Sequence, residues 1–190
     1  MNTLFEKMFF PSTFRTILLL LFFYFLFCIS NTNSYAATPL KTSQVITKNG
    51  YTVNIAFSKF DQKKHKLDWC EKGYLCNIDG AHFIGTDGSM PVASIHNIYL
   101  NLNGKAINLS SKNMYIGSWK YAELNAINIT VRKLSKHLFK VRGVFSDGAG
   151  AFYAEWNVLG GTSMRTVLSD SESLIDFHAF YFKNKSSSKL

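Results

Sequence analysis

The feature that most limits what this chain can become is a strict alternation of apolar and polar side chains. Turn signals interrupt it roughly every ten residues. In "YTVNIAFS", Tyr51, Val53, Ile55 and Phe57 point one way, and Thr52, Asn54 and Ser58 the other. Period two is the repeat of a strand with one face in a core. "NIYLNLNG" repeats it with Ile98, Leu100 and Leu102, and Asn103-Gly104 reads as a two-residue hairpin turn into "KAINLSS", with Ile107 and Leu109 inward. "INITVRKL" places Ile127, Ile129 and Val131 on one face. Around "DGAG", "HLFKVRGVF" offers Phe139, Val141 and Phe145, and "AFYAEWNVL" answers with Phe152, Ala154, Trp156 and Val158 against Tyr153, Glu155 and Asn157. After Gly160-Gly161, "SMRTVLS" and "SLIDFHAFYF" read as two closing strands. The best helical candidate, residues 113–124, contains Gly117 and reads as a short turn or loop. The expectation is an all-β, single-domain antiparallel sandwich or barrel with one short disulfide-clamped loop.

The first residues stand apart from this pattern. Lys7 and Arg15 precede "ILLLLFFYFLFCI", residues 17–29, which is uncharged. A membrane-spanning helix needs about 20 apolar residues, so this run fits the apolar core of a secretory signal better. Ser34 and Ala36 occupy −3 and −1 of a small-residue cleavage site. Residues 1–36 are therefore read as a signal peptide, residues 37–182 as the β-domain and residues 183–190 as a polar tail. Removing 36 of 190 residues leaves 154, enough for one real core. Cys28 leaves with the leader, and the odd cysteine count becomes the pair Cys70 and Cys76. An exported chain meets oxidising conditions in which such a pair bonds. The expected location is periplasmic or secreted, with membrane contact only through the transient leader.

"DWCEKGYLCNIDGAHFIGTDGSMP", residues 68–91, is the densest stretch. Calcium would want oxygen ligands at alternating positions, but Gly80, Ala81, His82 and Phe83 follow Asp79. Zinc would want two more ligands near Cys70 and Cys76; His65 and His82 are available, but the spacer is wide for a zinc knuckle. The favoured reading has no metal and no cofactor. Asp79-Gly80 and Asp87-Gly88 are two tight turns flanking a short strand, "AHFIG", behind a Cys70–Cys76 bridge. Trp69, Asp79, His82, Asp87 and Met90 become the candidate binding loop, because stapled surface loops present contacts on a rigid scaffold.

The motif running from Trp69-Cys70 through Cys76, Ile78-Asp79-Gly80 and Gly85-Thr86-Asp87-Gly88 to Met90-Pro91 resembles small exported bacterial β-proteins of uncharacterised function. The resemblance covers roughly residues 69–115. Some proteins of that build are periplasmic immunity proteins, so the resemblance implies occlusion of a secreted toxin. It defines no catalytic positions.

Charge and missing motifs narrow the function further. There is no G-x-S-x-G, H-E-x-x-H, phosphate-cradling glycine loop or dinucleotide fingerprint. His178 and Asp176 are conceivable partners of a serine, but two residues apart on a strand they do not meet as base and orienter. The net charge of +9 falls to +8 without Lys7, Arg15 and Glu6. Lys63, Lys64 and Lys66 form a candidate basic patch, and a second basic run spans Arg132, Lys133, Lys136, Lys140 and Arg142. Nucleic acid is a poor match for an exported chain; the clusters read as a solvated sheet face or as a site for an acidic partner, whether a protein patch, anionic lipid headgroups or a polyanionic glycan. The favoured reading is a non-catalytic binding protein that occludes a macromolecular partner, with no catalytic residue assigned. The alternatives are an exported hydrolase with a dispersed site, and a surface structural or adhesive subunit exchanging residues 37–45 as a strand.

Overall fold

The computed structural model describes residues 41–187, except 48, 72, 123–127 and 147. The expected leader, and Ile127, lie outside the described residues. Two antiparallel sheets face each other. The first is built from β1 (Lys41–Ile46), β2 (Thr52–Lys59), β6 (Ala93–Leu102) and β7 (Lys105–Leu109), in that spatial order, and the short β8 (Tyr115–Ile116) pairs the start of β6. The second contains β9 (Asn128–Lys133), β10 (Leu138–Phe145), β11 (Phe152–Leu159) and β12 (Thr162–Ser169), ordered β12-β11-β10-β9. Neither sheet closes on itself, so the fold is a sandwich and not a barrel. Between β2 and β6 the chain builds a small third sheet from β3 (Leu67–Glu71), β4 (Tyr74–Ile78) and β5 (Ala81–His82).

The alternation of the sequence becomes the core directly. Val53, Ile55, Phe57, Ile98, Leu100, Ile107 and Leu109 of the first sheet meet Ile129, Val131, Val141, Phe145, Phe152, Ala154, Trp156 and Val158 of the second in one buried cluster. Phe145 and Phe152 stack at 5.1 Å, and the Trp156 indole N–H donates to the Ser110 carbonyl at 3.0 Å, tying β11 to the chain after β7. Asn49 Nδ2 donates to the Val131 carbonyl at 3.0 Å, tying the β1–β2 turn to β9. The Asn103-Gly104 turn forms as expected, with φ of 51° and 79°, the left-handed pair that a tight hairpin requires. Residues 41–45 of the segment considered for strand exchange pair, within β1, with β2 of their own sheet.

One expectation fails. "SLIDFHAFYF" is not a closing strand; Glu172–Ser187 forms a helix, α1, which also takes in residues 183–187 of the stretch read as a tail. Ser171 sets its start, accepting from the Leu174 and Ile175 amides at 3.0 and 3.1 Å, and Glu172 lies in the first turn, where negative charge complements the helix dipole. The run of aromatic residues suggested β structure. What decides the outcome is a place to dock: His178 stacks on Tyr153 of β11 at 4.0 Å, with ring planes 13° apart. Tyr153 and Glu155, on the face away from the sandwich core, are consequently buried too.

Candidate functional site

The third sheet forms a lobe with its own apolar centre. Phe60, Leu75, Ile78, Phe83 and Tyr115 are buried together, with Leu67 and Met90 packed against them. Phe60 and Phe83 each meet Tyr115 edge-on, at 5.7 and 5.6 Å. Cys70 and Cys76 are bridged across the β3–β4 hairpin, with Cα atoms 5.8 Å apart. The bridge is what an oxidising compartment sustains. Among the described residues, no helix is long and apolar enough to cross a membrane.

Both Asp-Gly pairs take the turn conformation expected of them, with φ of 55° and 72° at residues 79 and 80 and of 51° and 73° at residues 87 and 88. The second turn is clamped. Thr86 Oγ1 donates to the Ser89 carbonyl and Ser89 Oγ to the Thr86 carbonyl, each at 2.6 Å, and the Leu75 amide donates to the Gly88 carbonyl at 2.7 Å. The Tyr74 ring lies over Gly88 so closely that a Cβ there would stand 2.3 Å from it. Gly85 packs as tightly on the Tyr115 carbonyl, 2.0 Å from where a Cβ would be, and Gly150 of the β10–β11 turn packs back on Gly85. The lobe is thereby fixed to both sheets.

The expected loop residues separate into four groups. Trp69 and Tyr74 stand on neighbouring strands, 49% and 47% exposed. Tyr74 was not singled out in the sequence, where it reads as another alternating aromatic. Asp79 is a latch: His65 Nδ1 lies 2.7 Å from its carboxylate, the Lys66 amide donates to it at 2.9 Å, and the His65 ring stacks on Phe60. The hydrogen bond with His65, then that from Lys66, lowers the Asp79 pKa. Met90 belongs to the lobe's apolar centre. His82 and Asp87 line, with Cys76 and Asp170, a small recess of about 80 Å³. Among the described residues, no group of three or more His, Cys, Asp or Glu side chains could hold a metal ion.

The basic patch is partly neutralised. Lys64 pairs with Asp61 at 3.6 Å and Lys66 with Asp68 at 3.5 Å; Lys63 forms no ion pair among the described residues. Residues 61–92 carry four lysines against five carboxylates. The positive charge of the protein therefore lies elsewhere.

Part of it surrounds Glu155, which is 8% exposed. Lys140 Nζ and Arg142 Nε each donate to its carboxylate at 2.8 Å, Thr166 Oγ1 at 3.0 Å and Tyr153 Oη at 3.2 Å. A β-bulge in the β11–β12 pairing, which skips Thr166, aims that hydroxyl. Burial would raise the Glu155 pKa, but the hydrogen bonds from Lys140, Arg142 and Thr166 outweigh it and bring the value down to about 2. Burial of the Tyr153 phenol, and then the Glu155 charge, push its pKa upward. A carboxylate held this firmly ionised is a clamp under α1, not a proton-transfer group. His178 beside it is pushed down by burial and then by the Arg142 charge. Asp176 and His178 lie on α1, which places His178 on Tyr153.

Three further lysines gather at one end of the sandwich. Lys105, Lys133, Lys136 and His137 line an open mouth of about 320 Å³, with Tyr51, Leu102 and Phe139 at its base. Comparison of the chain with protein-family models, curated proteins and solved structures returned no match.

Proposed function

We propose that this protein is an exported, periplasmic or secreted, non-catalytic binding protein that holds a protein partner against its stapled lobe, as immunity or inhibitor proteins do. The observation that carries this reading is the pair Trp69 and Tyr74. Two large amphipathic side chains stand half exposed on a hairpin crossed by a disulfide, backed by an apolar centre and anchored to both sheets. Tryptophan and tyrosine dominate the energetics of protein interfaces, and a fixed scaffold lowers the ordering cost of using them. With nearly balanced charges, the lobe favours a partner surface of mixed charge over a strongly acidic one.

The test is site-specific photo-cross-linking in the cells that make the protein, with the photoreactive residue at exposed Glu71, opposite Tyr74, or at exposed Met164 on β12 as the control. The expected result is one discrete protein adduct from position 71, absent at 164 and lost on Trp69→Ala or Tyr74→Ala. No adduct at 71, or the same adducts at both positions, would overturn the proposal.

A further inference from the structure

Four hairpin turns gather at the end of the sandwich opposite the lobe: β1–β2, β6–β7, β9–β10 and β11–β12. The mouth brings all four together, since its lining includes Tyr51, Asn103, His137 and Gly160. None of these turns contains an aspartate or glutamate. Two of its lysines sit where the core pattern calls for an apolar side chain. Lys105 continues the inward face of Ile107 and Leu109, and Lys133 that of Ile129 and Val131. Each strand thus ends its buried face in a cation at the rim. Lys105 Nζ lies over Gly161, 2.9 Å from where a Cβ would be, and Lys136 and His137 complete the ring from the β9–β10 turn. Cations around a partly apolar recess focus a positive potential into it.

The same end carries exposed aliphatic side chains at its tips. Ile46 is 70% exposed, Leu159 59% and Leu134 45%, and each belongs to or adjoins one of these turns. A soluble anion has no use for such side chains. A bilayer does, because apolar tips enter the acyl boundary while lysines stay at the headgroups. We infer that this end docks on an anionic phospholipid surface, with a headgroup phosphate in the Lys105–Lys133–Lys136 mouth and Ile46, Leu134 and Leu159 in the interface. This goes beyond the expectation that the leader alone meets a membrane. It is also independent of the lobe reading, because Trp69 and Tyr74 lie on β3 and β4 and neither lines the mouth.

The experiment is vesicle co-sedimentation of the full-length chain with phosphatidylglycerol-rich and with pure phosphatidylcholine vesicles, so that any contribution of residues 1–40 is common to every variant. The expected result is tighter binding to the anionic vesicles that weakens with salt. It should fall about 100-fold in Lys105→Glu/Lys133→Glu/Lys136→Glu and about fivefold in Lys136→Glu, a substitution at an exposed turn that leaves the core untouched. Ile46→Ser/Leu159→Ser should weaken vesicle binding about tenfold without changing binding to soluble polyphosphate. Trp69→Ala should bind vesicles as the unaltered chain does, which separates failure here from failure of the lobe reading. Equal binding to both vesicle types, or no effect of the lysine reversals, would overturn the inference. So would lysine-dependent binding on which Ile46→Ser/Leu159→Ser has no effect, since that marks a soluble polyanion as the ligand.

Discussion

Glu155→Gln is the perturbation whose size the structure fixes best. The substitution keeps the shape and removes the charge that Lys140, Arg142, Thr166 and Tyr153 are arranged around. The pKa of Glu155 falls from 4.5 to about 2 on folding. At 1.36 kcal/mol per pH unit, that makes ionised Glu155 worth about 3 kcal/mol to the native state. Lys140 and Arg142 keep about a quarter of their side-chain surface in water and recover some hydration in the variant, so the loss stays below the upper range for breaking a buried ion pair. Urea denaturation at pH 7 should show Glu155→Gln less stable by about 3 kcal/mol with an unchanged m-value. A depressed carboxylate contributes fully above its unfolded pKa and loses its contribution as pH falls towards the folded one. The gap between the unaltered chain and the variant should therefore close between pH 4.5 and about 2. A loss under about 1 kcal/mol at pH 7, or a gap that does not change with pH, would refute the clamp.

Gly85→Ala puts a Cβ 2.0 Å from the Tyr115 carbonyl at a φ of +120°, and should cost about 3–4 kcal/mol by denaturant titration. Trp156→Phe leaves the Ser110 carbonyl with only a long contact from Arg165 at 3.5 Å and opens space in the core. Its expected loss is about 2–4 kcal/mol in the same assay. His178 faces Arg142, Glu155 and Tyr153, and its pKa is depressed from 6.5 on folding, so stability is full above that value and declines as pH drops below it. Thermal melts at pH 7 and pH 5 should show this decline, and His178→Phe should flatten it.

Where one side of a strand met the core, the sequence was legible. Val53, Ile55 and Phe57, or Phe152, Ala154 and Trp156, alternate because a pleated strand presents every second residue to one face. The paired Asp-Gly and Asn-Gly turns were legible because their backbone conformation is written in glycine and its neighbour. The helix was not, because its run of aromatic residues favours a strand and Leu174 and Phe177 stay exposed, so no buried face announced it; among the described residues, His178 docks it on Tyr153. Missing α1 hid the burial of Tyr153 and Glu155, whose alternating positions could not show that their face was also covered. The bridge across Cys70 and Cys76 could be read from compartment and count. The pairing of His65 with Asp79 could not, since it depends on how β3 and β4 register. Lys63, Lys64 and Lys66 looked like the dominant basic patch because they are adjacent in sequence. Lys133 and Lys136 stood together in the second basic run, at one turn, but Lys105 comes from the β6–β7 turn and meets them only when the sandwich forms.

The central claim is that the disulfide holds a local lobe rigid so that it can present Trp69 and Tyr74 to a protein. Hydrogen–deuterium exchange combined with cross-linking at position 71 tests it in Cys70→Ser/Cys76→Ser. Closing so short a loop is worth about 2–3 kcal/mol, so amides of residues 67–78 should exchange about 30-fold faster or more in the variant. Protection in β10 and β11 should not change, and the partner adduct should fall in step with the lobe's protection. An adduct formed at full yield from the loosened lobe would contradict the account.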